Sequence, residues 1–284
     1  MDFCLYSKRL LAVFTFFSFL SCVVPVEEIF AQTEVNKSTK HIRFLTVSAG
    51  TGELTDFSKK KLELEDNEIG YPAFESDCFI LNLQRDLVGE KYDRNLLFST
   101  FFSRSVRFSE GLTENRNIDE NSSTVTHLSF SYRLTRKFIG KMGIRYCAGV
   151  IGKVLYESRG IEYLSIGKMK TKDISLLIGS LVSVESPVVY NTRFEVSMNN
   201  YFAVPALNYT MYNIPAYSKN YHQKLVETDF KAGVEYEITH NKWIRFDLIR
   251  EEYRSLSVSK NISVPRKDSN RIILLLSYKQ PFNF

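Results

Sequence analysis

The sequence predicts an all-β chain: an antiparallel, transmembrane, up-and-down β-barrel of twelve strands, with ten as the alternative count. Three observations predict it. From residue 41 onward apolar and polar side chains alternate with period two in segment after segment. The alternating segments run to about ten to fifteen residues, long for a globular strand and suited to crossing a bilayer on a tilt. The links between them alternate between long and short, as they do where tight turns lie on one side of a membrane and loops on the other.

The expected strands cover 41–51, 77–85, 94–108, 123–135, 141–156, 160–169, 172–186, 189–198, 201–213, 224–239, 242–256 and 270–282. The pattern is clearest where Thr124, Thr126, Leu128, Phe130, Tyr132 and Leu134 oppose Val125, His127, Ser129, Ser131 and Arg133. In the same way Phe230, Ala232, Val234 and Tyr236 oppose Asp229, Lys231, Gly233 and Glu235. Every even-numbered link is short, including Asn-containing turns at 199–200 and 240–241, whereas 214–223 and 257–269 are longer and polar. Reading 201–213 as a strand makes the count even, although Pro205 removes a ladder donor there. The chain holds 16 Tyr and 22 Phe, and Phe108, Tyr132, Tyr156, Tyr190, Tyr236 and Tyr253 stand near segment ends, as interfacial girdles require. A soluble periplasmic lipid-binding barrel would share the alternation but has no need of such lengths and girdles.

Ahead of the barrel, Lys8 and Arg9 close a short basic region and Leu10 to Val24 form an apolar run too short to span a bilayer comfortably. Pro25 breaks the run, and Ala31 supplies the small residue before a cut. The domain reading is therefore a signal peptide at 1–31, a short periplasmic segment at 32–40 and the barrel at 41–284. Phe19-Leu20-Ser21-Cys22 offers a lipoprotein box at Cys22 as the minor alternative. The formal charge of +5 becomes +6 once Lys8 and Arg9 leave together with Asp2, Glu27 and Glu28. These charges are scattered among acids, a distribution that argues against nucleic acid as a partner. Cys78 and Cys147 are too few for a disulfide framework and lack metal-ligand spacing; they read as small apolar residues.

The end of the chain carries a resemblance. Ile272, Leu274, Leu276 and Tyr278 alternate on one face and are followed by Phe282-Asn283-Phe284. This resembles the C-terminal signal of bacterial outer-membrane β-barrel proteins. The resemblance implies an outer-membrane location, outer-membrane lipids as surroundings, and the barrel assembly machinery as the partner that reads the signal. It implies no particular activity.

No phosphate loop, dinucleotide fingerprint, zinc spacing or nucleophile elbow occurs, so the sequence calls for no cofactor and no metal. Of the histidines, only His127 has a chemically suggestive neighbour, in His127-Leu128-Ser129. That element resembles the His-x-Ser of outer-membrane phospholipase A and the lipid A deacylases, and it implies lipid hydrolysis with His127 as base and Ser129 as nucleophile. Phe130 stands where those enzymes commonly have Asn, and Lys141 where an acid or amide is expected. By alternation the lumen is lined by Arg133, Arg145, Lys153, Arg193, Glu195, Asp229, Lys231, Glu235, Arg245, Asp247, Arg271 and Lys279, with opposite charges paired across strands. Lys59-Lys60-Lys61 and Glu63 to Glu68 fall in a charge-balanced first loop. The expected function is a non-enzymatic small pore or a structural or surface protein, with the lipid hydrolase as the competing class.

Overall fold

The computed structural model describes residues 42–56, 61–64, 67–70, 74–108, 118–163, 167–204, 209–214, 217–221, 224–257 and 268–282. The signal region 1–31, His41, Pro205, His222 and Phe284 lie outside the described residues. Among the described residues fourteen strands follow one another: β1 (Ile42–Asp56), β2 (Lys61–Leu64), β3 (Asn67–Gly70), β4 (Phe74–Val88), β5 (Tyr92–Phe108), β6 (Ile118–Ile139), β7 (Arg145–Tyr163), β8 (Gly167–Glu185), β9 (Thr192–Ala203), β10 (Tyr209–Ile214), β11 (Tyr217–Tyr221), β12 (Lys224–Thr239), β13 (Lys242–Ser257) and β14 (Asp268–Pro281). Each wall strand pairs antiparallel with the strand before and after it in the ring, and two pairings, β1 with β14 and β8 with β9, close that ring.

The ring has ten strands, not the expected twelve. Residues 160–163 end β7 and residues 167–169 begin β8, so no turn occurs at 170–171. Likewise the expected turn at 199–200 lies inside β9. Both Asn residues there are held by β12: Asn199 faces the lumen with its Nδ2 3.5 Å from Asp229 Oδ2, and Thr228 Oγ1 donates to Asn200 Oδ1 at 3.1 Å. The asparagine pair that reads as a turn is in fact bonded to the neighbouring strand through Asn199 Nδ2 and Asn200 Oδ1. The expected strand at 201–213 divides between the end of β9 and β10, which forms a hairpin with β11. β10 is hydrogen-bonded to Lys170–Ile174 of β8, beyond the point where β9 ends. A second hairpin, β2–β3, lies in the first long link.

Register fixes the geometry. From Gly50 the ladder leads through Ile80, Phe101, His127 and Glu157 to Asp173 on β8. The other way it leads through Leu275, Asp247, Gly233 and Glu195 to Glu185, also on β8. That stagger along one strand requires the strands to tilt by about 35–45°. β7 and β8, at 19 residues each, then rise roughly 45 Å, well beyond the ~25 Å of an apolar band.

The outer surface shows such a band. Val47, Leu83, Phe98, Val150, Val182, Phe246, Ile272, Leu274 and Leu276 are all exposed large apolar side chains. Tyr92, Tyr146, Tyr236 and Tyr278 flank it at the short-turn end. Burying so continuous an apolar surface in hydrocarbon is what stabilises a barrel of this kind. Towards the long-link end the outward positions become charged, with Arg250 and Arg254 paired to Glu252 at 2.6 and 3.2 Å. Tyr253 does not join a girdle: it shares the face of Glu251 and is 1 % exposed inside the barrel.

The tight turns are made as their sequences dictate. Tyr190 and Asn191 both take positive φ, 50° and 62°, closed by the Val189–Thr192 bridge, which is the two-residue hairpin geometry whose twist matches its strands. The final strand is anchored to the first over thirteen paired positions, and Phe282 N donates to Arg43 O at 2.9 Å just beyond it.

Candidate functional site

The interior divides into a cavity and a plug. The cavity, about 350 Å³, reaches the short-turn rim at Ile42, Val88 and Asn241 and runs inward to Lys153, Tyr201 and Glu251. Most of its charge belongs to one network. Arg245 contacts Glu195 at 2.5 Å, Glu235 at 3.0 Å and Asp247 at 2.7 Å. Arg193 binds Glu235 and approaches Glu185 at 3.4 Å, while Arg145 donates to Glu185 at 3.0 Å. Lys231 lies 3.4 Å from Asp247, and Lys279 lies 3.7 Å from Glu235. Gly233 makes room for the centre of this network: a Cβ there would meet both the Asp247 carboxylate and the Arg245 guanidinium. Close, multidentate contacts of this kind offset the cost of removing these ions from bulk water.

The plug lies nearer the long-link end. Each of the ten wall strands contributes an almost fully buried inward residue, among them Leu54, Ser76, Phe101, His127, Leu155, Leu177, Tyr201, Glu227, Tyr253 and Arg271. An apolar cluster of Ile151, Leu155, Leu177, Tyr201, Leu225 and Tyr253 fills one side. Ion pairs fill the rest and reach across the barrel. Lys153 on β7 binds Glu227 on β12, and its Nζ is 3.4 Å from Tyr253 Oη on β13. Arg271 on β14 lies 3.2 Å from Glu251 and 3.8 Å from Glu157 on β7, and its guanidinium stacks over Phe101 and Tyr253. Glu157 also accepts from Arg159 at 2.5 Å. Strands β14 and β7 are five apart in a ring of ten, so the Arg271–Glu157 contact joins opposite walls.

The charged positions singled out in the sequence as lumen-lining, with His127 and Ser129, fall on this inner surface, whereas Ile272, Leu274, Leu276 and Tyr278 face outward. Arg145, Arg193, Glu195, Lys231, Glu235, Arg245, Asp247 and Lys279 gather around the cavity. Lys153 and Asp229 stand at its inner end, Arg133 lines it between Thr135 and Ser131, and Arg271 belongs to the plug beyond it. His127 and Ser129 are buried within the barrel and face away from the surrounding lipid surface. His127 Nδ1 is 3.4 Å from Glu157 Oε2, and its ring packs 5.2 Å from that of Phe101. Sequence reading missed Glu157, Arg159, Glu227, Glu251 and the two lumen tyrosines. Parity would have found them, since each continues the inward face of Lys153, Asp229 or Arg271 on its own strand or the next. The two free cysteines are also buried, Cys147 beside the cavity and Cys78 outside its lining.

A ring of antiparallel, tilted strands with an apolar exterior and a polar, charge-paired interior decides the comparison. Its fold is that of bacterial outer-membrane β-barrels. The outer-membrane protease OmpT from Escherichia coli is similar over 88 % of this chain and 99 % of its own, with a TM-score of 0.57 and 8 % identity. The translocator domain of the autotransporter NalP from Neisseria meningitidis gives 95 % and 99 % coverage, a TM-score of 0.43 and 9 % identity. At 8 % identity the likeness to OmpT is one of fold. No protein-family model matches the barrel, and no curated protein does.

Proposed function

We propose that this chain is an integral protein of the bacterial outer membrane that works as a closed, non-conducting barrel, a structural or surface-interaction protein in place of a diffusion pore. The observation that carries this reading is the contact of Arg271 with Glu157 across the full width of the ring, within a layer to which every wall strand contributes a buried side chain. A water-filled path needs open cross-section at every level, and a layer filled by a buried side chain from every wall strand and bridged by this contact works against one there. The location is supported by the apolar band, by the barrel fold and by a last strand whose outward row of Ile272, Leu274, Leu276 and Tyr278 is suited to the assembly machinery and then to lipid. Export would use the signal at 1–31.

Purified barrel reconstituted in planar bilayers tests this directly. The expected record is free of discrete current steps; reproducible unitary steps would overturn the closed-barrel reading. The lipid-hydrolase reading is tested in liposomes. A lipid ester would have to enter the lumen and displace Phe101 or Glu157 to reach His127. Both the wild type and His127→Ala are expected to leave lipid intact. Hydrolysis present in the first and absent in the second would make the protein an enzyme.

A further inference from the structure

At the inner end of the cavity three carboxylates converge. Glu227 and Asp229 stand two residues apart on β12, and Glu251 faces Asp229 from β13 in register. One oxygen from each lies within 4.8 Å of the others. Calcium-type cations bind oxygen ligands at about 2.3–2.6 Å, so oxygens spread over about 5 Å can share one such ion without moving the backbone. The smaller magnesium ion, at about 2.0–2.1 Å, would require the carboxylates to draw together.

A second observation comes from a residue outside this cluster. Asn199 on β9 is paired in register with Asp229, is 3 % exposed and has an amide oxygen with no hydrogen-bond partner. Its Nδ2 is the atom turned to Asp229, at 3.5 Å. A buried amide oxygen left without a donor is costly, and a half-turn of the amide about its last bond would place that oxygen on the Asp229 side as a neutral ligand. Glu227 Oε2 and Asp229 Oδ1 likewise lack hydrogen-bond partners, although both residues are buried. The cations already present engage other atoms: Lys153 binds Glu227 through Oε1, and Arg271 serves both Glu251 and Glu157. Glu157, Glu227, Asp229 and Glu251 are matched in number by Lys153, Arg159, Arg271 and Arg133 on the cavity wall, so a cation here would be held by the unpartnered oxygens themselves and not by a net negative charge. Asp229, Glu251 and Asn199 line the cavity, so an ion entering from the short-turn end reaches them without passing the plug.

We propose that Glu227, Asp229, Glu251 and the Asn199 amide form a binding site for a hard divalent cation of calcium size at the blind end of the cavity. The site stands whether or not the barrel conducts. Bound there, the ion links β9, β12 and β13 below the plug and relieves the three orphaned oxygens together.

The test uses the full folded protein in detergent, stripped with chelator, with terbium as the probe. Tyr201 and Tyr253 border the site and can transfer excitation to a bound lanthanide. Tyrosine-sensitised terbium emission that calcium displaces is expected, together with a calcium-dependent rise in the unfolding temperature. Asp229→Asn and Asn199→Ala are expected to weaken calcium by at least tenfold, and Asp247→Asn, in the outer network, to leave it unchanged. Heat-modifiable migration on gels establishes that each variant is folded; if Asp229→Asn does not fold, Asn199→Ala with Glu251→Gln gives the same reading. Absence of displaceable emission from the folded wild type, emission unaffected by these variants, or a stability that follows pH and not calcium would each overturn the proposal.

Discussion

Arg271 and Glu157 meet at 3.8 Å from strands that stand on opposite walls of the ring. Arg271 is 3 % and Glu157 1 % exposed at the side chain, so the pair is held in a region that water hardly reaches. Each also has a nearer partner, Glu251 at 3.2 Å for the arginine and Arg159 at 2.5 Å for the glutamate. The plug is therefore a chain of charges laid across the lumen.

Breaking that chain at its middle link should be expensive. Arg271→Ala removes the guanidinium and leaves Glu251 and Glu157 short of a buried partner, a loss of about 3–5 kcal/mol on the scale of broken buried pairs. Arg271→Met with Glu157→Gln should cost less than the two single changes added together, because the contact between the two walls can be lost only once and neither residue is left charged opposite a neutralised partner. Urea titrations of the four proteins in lipid vesicles read the coupling. Strict additivity would show that the two walls do not communicate through this contact.

How much of this was legible in the sequence depends on the distance over which a pattern acts. Alternation is local, and a one-residue slip would reverse every face, so the inward set from Arg133 to Lys279 and the outward row of β14 could be read directly. The strand count could not. Lys170-Thr171 and Asn199-Asn200 look like turns because their polar side chains interrupt apolar rows. Yet Thr171 is an inward residue of β8, and each asparagine makes a hydrogen bond to β12. Partners of this kind sit on other strands, and Arg271–Glu157 joins strands half a ring apart, which no neighbouring residues encode.

Thiol chemistry distinguishes a blind cavity from a through-channel. Cys147 lines the cavity beside Glu185, whereas Cys78 is buried outside its lining, paired with Gly52 and Ser103. A small charged methanethiosulfonate reagent applied to the folded protein should modify Cys147 at least tenfold faster than Cys78, and both should react at similar rates in urea. Mass spectrometry of peptides after timed quenching gives the two rates. Equal rates in the folded state would mean that water reaches the plug from both sides.

The apolar band makes a depth-dependent prediction. Leu274 points outward from β14 between Ile272 and Leu276, each half exposed on the outer surface. Leu274→Arg should destabilise the barrel in vesicles by about 2–4 kcal/mol, whereas Glu53→Arg, towards the charged long-link end, should cost about 0–1 kcal/mol. The same pair in detergent micelles, which deform around a charge, should differ less. If both substitutions cost the same in vesicles, the band is misplaced on the wall.

The hairpin between β8 and β9 offers a gain instead of a loss. Tyr190 takes a φ of 50° at the first central position of its turn and is 94 % exposed, so its ring returns little packing for the backbone it must adopt. Left-handed backbone costs an ordinary L-residue about 1–2 kcal/mol, a cost that Asn largely avoids and that Gly removes while adding freedom to the unfolded chain. Asn191 at the second position is already suited to its φ of 62°. Tyr190→Asn should therefore stabilise the barrel by about 0.5–1 kcal/mol, with Tyr190→Gly close to neutral, in urea unfolding followed by tryptophan emission from Trp243. An interfacial tyrosine also gains by resting in lipid headgroups, so the balance is decided by comparing vesicles with micelles. A stabilisation seen in both places the effect in the turn; a loss confined to vesicles would assign Tyr190 to the membrane surface.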